Sequence, residues 1–126
     1  MIVTFTANPS VDRTADVQAL VRGAVIRASA VHVDGGGKGV NVTRALTANG
    51  YASLAVLPTG GAEGAQLVAL LSAEKLQFQV VTVSGSIRAN VTIVEPDGTT
   101  TKINEPGPLL SGAELCLLYT SPSPRD

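Results

Sequence analysis

With 126 residues, 44% of them apolar, the chain has material for the core of one small domain or of a piece of a larger one. A net charge of −1 without any basic run argues against nucleic-acid or membrane-surface binding, so neither partner is expected. No apolar run approaches the roughly 20 residues of a membrane span, no signal-peptide pattern is present, and Cys116 and His32 are each alone, so a soluble cytoplasmic protein without a cysteine-based metal site is expected.

Ile2 to Thr6 is a β-rich run and predicts the first strand of a sheet. It ends at Ala7-Asn8-Pro9-Ser10, where Pro9 removes a backbone donor. Asp12 follows just beyond. In open α/β sheets ligands sit outside the carboxyl ends of strands, so a carboxylate here can grip hydroxyl groups. A turn-capping Asp is the bland alternative. Residues 11–34 exceed an ordinary βα connection of about two to six residues. Val25 to Asp34 reads as another strand, with Val11 to Val17 as its partner, and the pair predicts a flap over a site.

The run Gly35-Gly36-Gly37-Lys38 leads into helical spacing. Val42, Ala45, Leu46 and Asn49 fall at i, i+3, i+4 and i+7, and Gly50 is the expected stop. Glycines let the backbone turn sharply and come close to a ligand. The free N–H groups of a first helical turn favour an anion, and Lys38 adds a positive charge there. Asn41 lies one turn past Gly37, opposite the apolar stripe, where it can bond a hydroxyl. A Walker A loop would need Gly at 32 and Ser or Thr at 39, where His32 and Gly39 stand, and the Rossmann pattern fails in every register. Alone, the loop reads as a tight turn with a solvated lysine.

Ser53 to Leu57 predicts a short buried strand, Pro58-Thr59-Gly60-Gly61 a break, and Leu67, Leu70, Leu71 and Glu74 a helix. Phe78 to Val83 returns to strand. Strands alternating with helices of about a dozen residues indicate βαβ units and a parallel sheet with right-handed crossovers. Residues 88–105 break that alternation. Arg88 to Val94 alternates strictly, with Arg88, Asn90 and Thr92 on one face; Pro96-Asp97-Gly98 makes a turn, and Thr99 to Glu105 returns. This second β excursion can complete the same flap. Arg88 and Asn90 can reach an anion, the guanidinium matching phosphate oxygens. By themselves they read more readily as the solvated face of a hairpin. Ser111 to Glu114 is a capping box opening a helix expected to stop after Leu118.

Taken together, Asn8-Pro9-x-x-Asp12, Gly36-Gly37-Lys38-Gly39-x-Asn41-Val42-x-Arg44-Ala45-Leu46, Arg88-x-Asn90-Val91 and Asn104-x-Pro106-Gly107-Pro108 are similar, in this order, to the N-terminal part of the ribokinase-like (PfkB) sugar kinases. The likeness is to their hexose-phosphate branch, which contains 1-phosphofructokinase and tagatose-6-phosphate kinase, and it covers residues 1–116. It implies an α/β fold, a truncated ribokinase-like three-layer α/β sandwich, with a β-sheet lid formed by the two inserted β excursions, about 11–34 and 88–105. It implies further that Asp12 and Asn41 hold sugar hydroxyls and that Gly36 and Gly37 give close backbone approach. Lys38, Arg88 and Asn90 would bind the substrate phosphate or orient the sugar under the lid.

The family transfers the γ-phosphate of ATP to a sugar hydroxyl with Mg2+ and an Asp base, so ATP and Mg2+ are the implied cofactors. The base belongs to a downstream glycine-rich motif that this chain lacks, and no catalytic residue is expected here. Conversion of fructose 1-phosphate to fructose 1,6-bisphosphate is the expected reaction of the whole kinase. Tagatose 6-phosphate or fructose 6-phosphate kinases, or a non-catalytic sugar-phosphate-binding domain, are the alternatives. The chain by itself is expected to transfer no phosphate. A homodimer through the lid fits the family, though nothing in the residues demands it. Residues 117–126, with Pro122 and Pro124 and no periodicity, have no family counterpart and are expected to be a non-native tail of a truncated gene.

Overall fold

A computed structural model describes residues 1–120. In chain order the elements are β1 (Ile2–Phe5), β2 (Ser10–Asp16), β3 (Ala30–Gly36), α1 (Lys38–Ala48), β4 (Ser53–Thr59), α2 (Gly61–Ala73), β5 (Phe78–Thr82), β6 (Arg88–Val94), β7 (Thr100–Asn104) and α3 (Gly112–Tyr119). They form two sheets. β1, β4 and β5 make a parallel sheet in the order β1-β4-β5, and the two β excursions join in a second sheet ordered β3-β2-β6-β7. In the second sheet β2 and β6 run parallel, and the flanking pairs are antiparallel.

Side-chain parity fixes the layers. Thr4 and Ser53 point to the face that carries α1, because the Thr43 hydroxyl lies 2.6 Å from that of Thr4 and 2.9 Å from that of Ser53. Leu57 shares that face and packs with Val40 of α1 and with Leu67 and Leu71 of α2. Phe5 points the other way, onto Tyr119 of α3. The parallel sheet is therefore sandwiched between α1 with α2 and α3, the three-layer arrangement expected from the sequence. α2 also supports the lid. Val11 is fully buried against Leu67 and Leu71, and a Cβ added to Gly35 would stand 2.8 Å from the Leu67 Cδ1 atom. Among the described residues, no helix is long and apolar enough to cross a membrane.

Several local expectations need correction. The expected apolar stripe of α1 is not its buried face: Val42 is 50% exposed and Ala45 is exposed. Gly39, Val40 and Thr43 are buried instead. Small residues let the helix approach β1 so closely that a Cβ on Gly39 would overlap the Thr6 side chain, and the Thr43 hydroxyl is satisfied by two others.

β3 begins at Ala30 rather than Val25 and takes in Gly35 and Gly36. Its pairing stops where β2 ends, at Ala30 opposite Asp16, so Val25 to Ser29 has no strand to join. Pro58, expected to break β4, lies inside it. The Val56 carbonyl accepts from Thr6 N toward β1, whereas Ala55 N donates to Gln77 O and the Thr59 carbonyl accepts from Val83 N, both toward β5. The position of Pro58 thus faces the β1 side, where β1 has already ended at Phe5, and the missing donor disrupts no ladder.

Gly50 does take the left-handed conformation of a helix stop, at φ 84°. The Ser111–Glu114 capping box is present, and α3 runs one residue past the expected end, with Leu118 buried. Leu117 to Tyr119 are thus helical, while positions 121–126 of the expected tail lie outside the described residues.

Candidate functional site

The site lies where the lid meets the N-terminal end of α1. Across the second sheet the register sets Asp34, Asp12, Asn90 and Asn104 side by side, and the neighbouring row brings Gly36, Ser10 and Arg88 together. Strand alternation keeps both rows on one face. The expected residues of β2 and β6, Asp12, Arg88 and Asn90, are therefore assembled by pairing between segments far apart in sequence.

Asp12 is held from two sides. Ser10 Oγ donates to Asp12 Oδ1 at 2.7 Å, and Asn90 Nδ2 donates to the same oxygen at 3.2 Å. The amide of Asn90 is itself oriented, since its Oδ1 accepts from Glu105 N at 3.2 Å. Glu105 returns a bond, its Oε1 accepting from Ala89 N at 2.7 Å. Gly36 is required by this carboxylate: a Cβ there would overlap Asp12 Oδ2 and come within 2.8 Å of Ser10 Oγ. Gly37 is the N-cap of α1 at φ 129°, a conformation open to glycine, and a Cβ there would also stand 2.5 Å from the Thr6 methyl.

With glycine at the N-cap, no side chain caps the first turn of α1. Its free N–H groups and the helix dipole favour an anion. Lys38, the first residue of α1, is exposed, and its side chain makes no hydrogen bond or ion pair among the described residues. It lines a cleft of about 330 Å³ together with Thr6, Asn8, Gly39 and Arg88. Among the described residues two buried side-chain polar atoms lack a partner, Thr6 Oγ1 and Arg88 Nε, and both residues line this cleft. A buried unpaired donor costs about 1–3 kcal/mol. Asn8 closes one side: its Nδ2 donates to Pro106 O at 3.0 Å, and a Cβ on Gly107 would overlap its Oδ1. The first and last of the sequence motifs therefore touch.

Asn41 projects from α1, exposed, with its Oδ1 accepting from Arg44 Nη1 at 2.8 Å. Arg44 also donates from Nη2 to Gly35 O at 2.7 Å, and from Nε and Nη2 to the two carboxylate oxygens of Glu74 at 2.8 and 3.0 Å. The hydrogen bond to Glu74 raises the Arg44 pKa, burial works against it, and Asp34 and Asp12 add to the rise. Sequence reasoning gave no role to Ser10, Thr6, Arg44 or Glu105. Arg44 carried a signal, standing one helical turn after Asn41 within the glycine motif; the other three are ordinary polar residues until the fold places them.

Residues 6–114 match the pfkB family of carbohydrate kinases. A 1-phosphofructokinase of Xanthomonas campestris is 40% identical over 116 residues, covering 90% of this chain and 36% of that protein. An ATP-dependent 6-phosphofructokinase isozyme 2 of Mycobacterium tuberculosis is 35% identical over 114 residues, covering 90% of this chain and 34% of that protein. Among solved structures, phosphofructokinase-2 from Escherichia coli in complex with fructose-6-phosphate superposes with a TM-score of 0.88 at 30% identity, over 93% of this chain and 39% of that one. The chain thus spans little more than a third of the length of these relatives.

Proposed function

Because the chain belongs to the pfkB family of carbohydrate kinases, we propose that it is the sugar-phosphate-binding part of an ATP-dependent hexose-phosphate kinase acting on fructose 1-phosphate. One observation carries the reading. Lys38 and Arg88 line the same cleft at the uncapped N-terminus of α1, and Arg88 stands one row from Asp12. In this reading Lys38 and Arg88 take the phosphate by charge-assisted hydrogen bonds. Asp12 accepts from sugar hydroxyls through Oδ2, its Oδ1 being occupied by Ser10 and Asn90. Asn90 fixes Asp12, Asn41 bonds a further hydroxyl, and Gly36 and Gly37 keep the loop slim enough for the sugar to approach. The 40% identity to a 1-phosphofructokinase supports fructose 1-phosphate, and the likeness to 6-phosphofructokinases makes fructose 6-phosphate the second reading.

Among the described residues no three His, Cys, Asp or Glu side chains group together as a ready-made metal cage. ATP and Mg2+ are assigned to no residue of this chain, nor is proton abstraction from the sugar. The lid face turned away from Asp12 exposes Val31 and Ile103, which supports pairing of two copies through the lid. Sedimentation velocity tests that pairing, and a monomer at every concentration refutes it.

Calorimetric titration of the chain with fructose 1-phosphate, fructose 6-phosphate, tagatose 6-phosphate and fructose tests the main reading. Fructose 1-phosphate is expected to bind tightest and unphosphorylated fructose weakest. Equal affinity for fructose, or no binding of any sugar phosphate, overturns it. In a coupled ADP-release assay the chain alone is expected to show no sugar-dependent turnover, and turnover would overturn that expectation.

A further inference from the structure

We propose that Arg44 is a positioning residue that fixes the amide of Asn41, so that this side chain meets the sugar phosphate only as a hydrogen-bond donor. The proposal rests on the binding role assigned to Asn41 above. An exposed asparagine on a helix can turn either end of its amide to a ligand. Here the choice is removed. A guanidinium has donors and no acceptor, so the atom 2.8 Å from Arg44 Nη1 is the Asn41 oxygen, and Nδ2 is the free end.

The guanidinium cannot swing away, because Glu74 holds Nε and Nη2 through both carboxylate oxygens. Nη2 at the same time binds the carbonyl of Gly35, the residue before Gly36. One planar group therefore ties together the end of β3, the helix bearing Asn41 and the C-terminal end of α2, where Glu74 is the cap residue. Lysine, a compact point charge, cannot occupy these directions at once. The arrangement also divides the labour of recognition. Asp12 accepts hydrogen bonds from hydroxyls, and Asn41 offers its free Nδ2 as a hydrogen-bond donor to an oxygen lone pair.

The test compares the chain with its Arg44→Lys variant. Affinity for fructose 1-phosphate is expected to fall about tenfold, the loss of one oriented donor, while affinity for inorganic phosphate stays unchanged because Lys38 and Arg88 are untouched. Equal losses for both probes, or no loss for either, overturn the proposal. A second readout needs no sugar: the side-chain ¹⁵N relaxation of Asn41 is expected to change from ordered in the native chain to mobile in the variant. An Asn41 amide that remains ordered overturns it too. If the native chain fails to prefer fructose 1-phosphate to inorganic phosphate, the binding reading falls, and the relaxation measurement still decides the role of Arg44. Should Arg44→Lys not fold, Glu74→Gln frees the same fork while leaving Arg44 in place, and the same relaxation change is expected.

Discussion

Phe5 of β1 and Tyr119 of α3 stack in parallel, offset planes, with ring centroids 5.4 Å apart and planes inclined by 8°. The first strand and the last described helix thus hold one another, and Leu118 beside them is only 2% exposed. Leu118→Ala is expected to lower stability by about 2–5 kcal/mol, the range for a buried leucine truncation. Tyr119→Ala removes a largely exposed stack and should cost about 0.5–1.5 kcal/mol. Urea denaturation measures both. A chain shortened to end at Cys116 should melt lower than the full one; an unchanged melting temperature would make everything from Leu117 onward a passive addition.

Lys38→Ala and Arg88→Ala should each weaken fructose 1-phosphate binding by about tenfold or more, since a charge-assisted contact contributes about 1.5–3 kcal/mol. Affinity for unphosphorylated fructose should not change. Arg88→Ala also removes a buried unpaired donor, so its stability cost should be small for a residue of that size. Titration calorimetry on both variants checks this, and undiminished fructose 1-phosphate affinity removes the cleft from the site.

Gly36→Ala is expected to abolish sugar-phosphate binding, because the added methyl displaces the Asp12 carboxylate that Ser10 and Asn90 orient. The accompanying loss of stability should be about 1–3 kcal/mol, as for other overpacked sites. Gly98 offers a control, its left-handed turn having nothing within 4 Å. Gly98→Ala should cost stability through its backbone conformation alone and leave binding intact. Loss of binding in both variants would mean that Gly36 acts through general destabilisation.

These positions differ in how far the sequence announces them. β6 was legible to the residue, because strict alternation from Arg88 to Val94 has no helical counterpart and its bounds are set by its own pattern. The stop at Gly50 was legible from a local signal too, whereas of the glycine run only Gly37 makes the turn, Gly35 and Gly36 belonging to β3. The buried face of α1 was not. A glycine, a valine and a threonine make that face, and only the hydroxyls of Thr4 and Ser53, brought by other strands, make burying Thr43 favourable. Pro58 was misread because a proline is judged by its neighbours on the sheet, and the early end of β1 is a tertiary fact. Ser10 and Glu105 became recognisable only once β2, β6 and β7 were in register.

Glu114 gives a pH dependence with a definite sign. Bonds from Ser111 N and Ser84 N hold its carboxyl below the ordinary value of 4.5. A group whose folded pKa is depressed contributes stability above its unfolded pKa and loses it as the pH falls through the folded value. Glu114→Gln should therefore melt below the native chain near neutrality, with the gap closing on acidification below the ordinary carboxylate range. Melting temperatures across that range decide it, and a gap independent of pH would show that the charge of Glu114 contributes nothing.

The bond from Asn90 to Asp12 joins residues 78 apart in the chain, and its consequence is one of timing. The hairpin of β2 and β3 is complete early in synthesis, yet it has no parallel partner until β6 emerges. Closing so long a loop is a slow, entropically costly step that local contacts cannot hasten. On the proposed reading, competence to bind is expected to be the last property the polypeptide acquires, after the α/β layers have collapsed. In refolding experiments the recovery of sugar-phosphate binding should lag the return of far-ultraviolet circular dichroism, and simultaneous recovery would place the lid within the folding nucleus. A nascent chain arrested before Arg88 would carry the entire glycine loop and still be blind to its ligand.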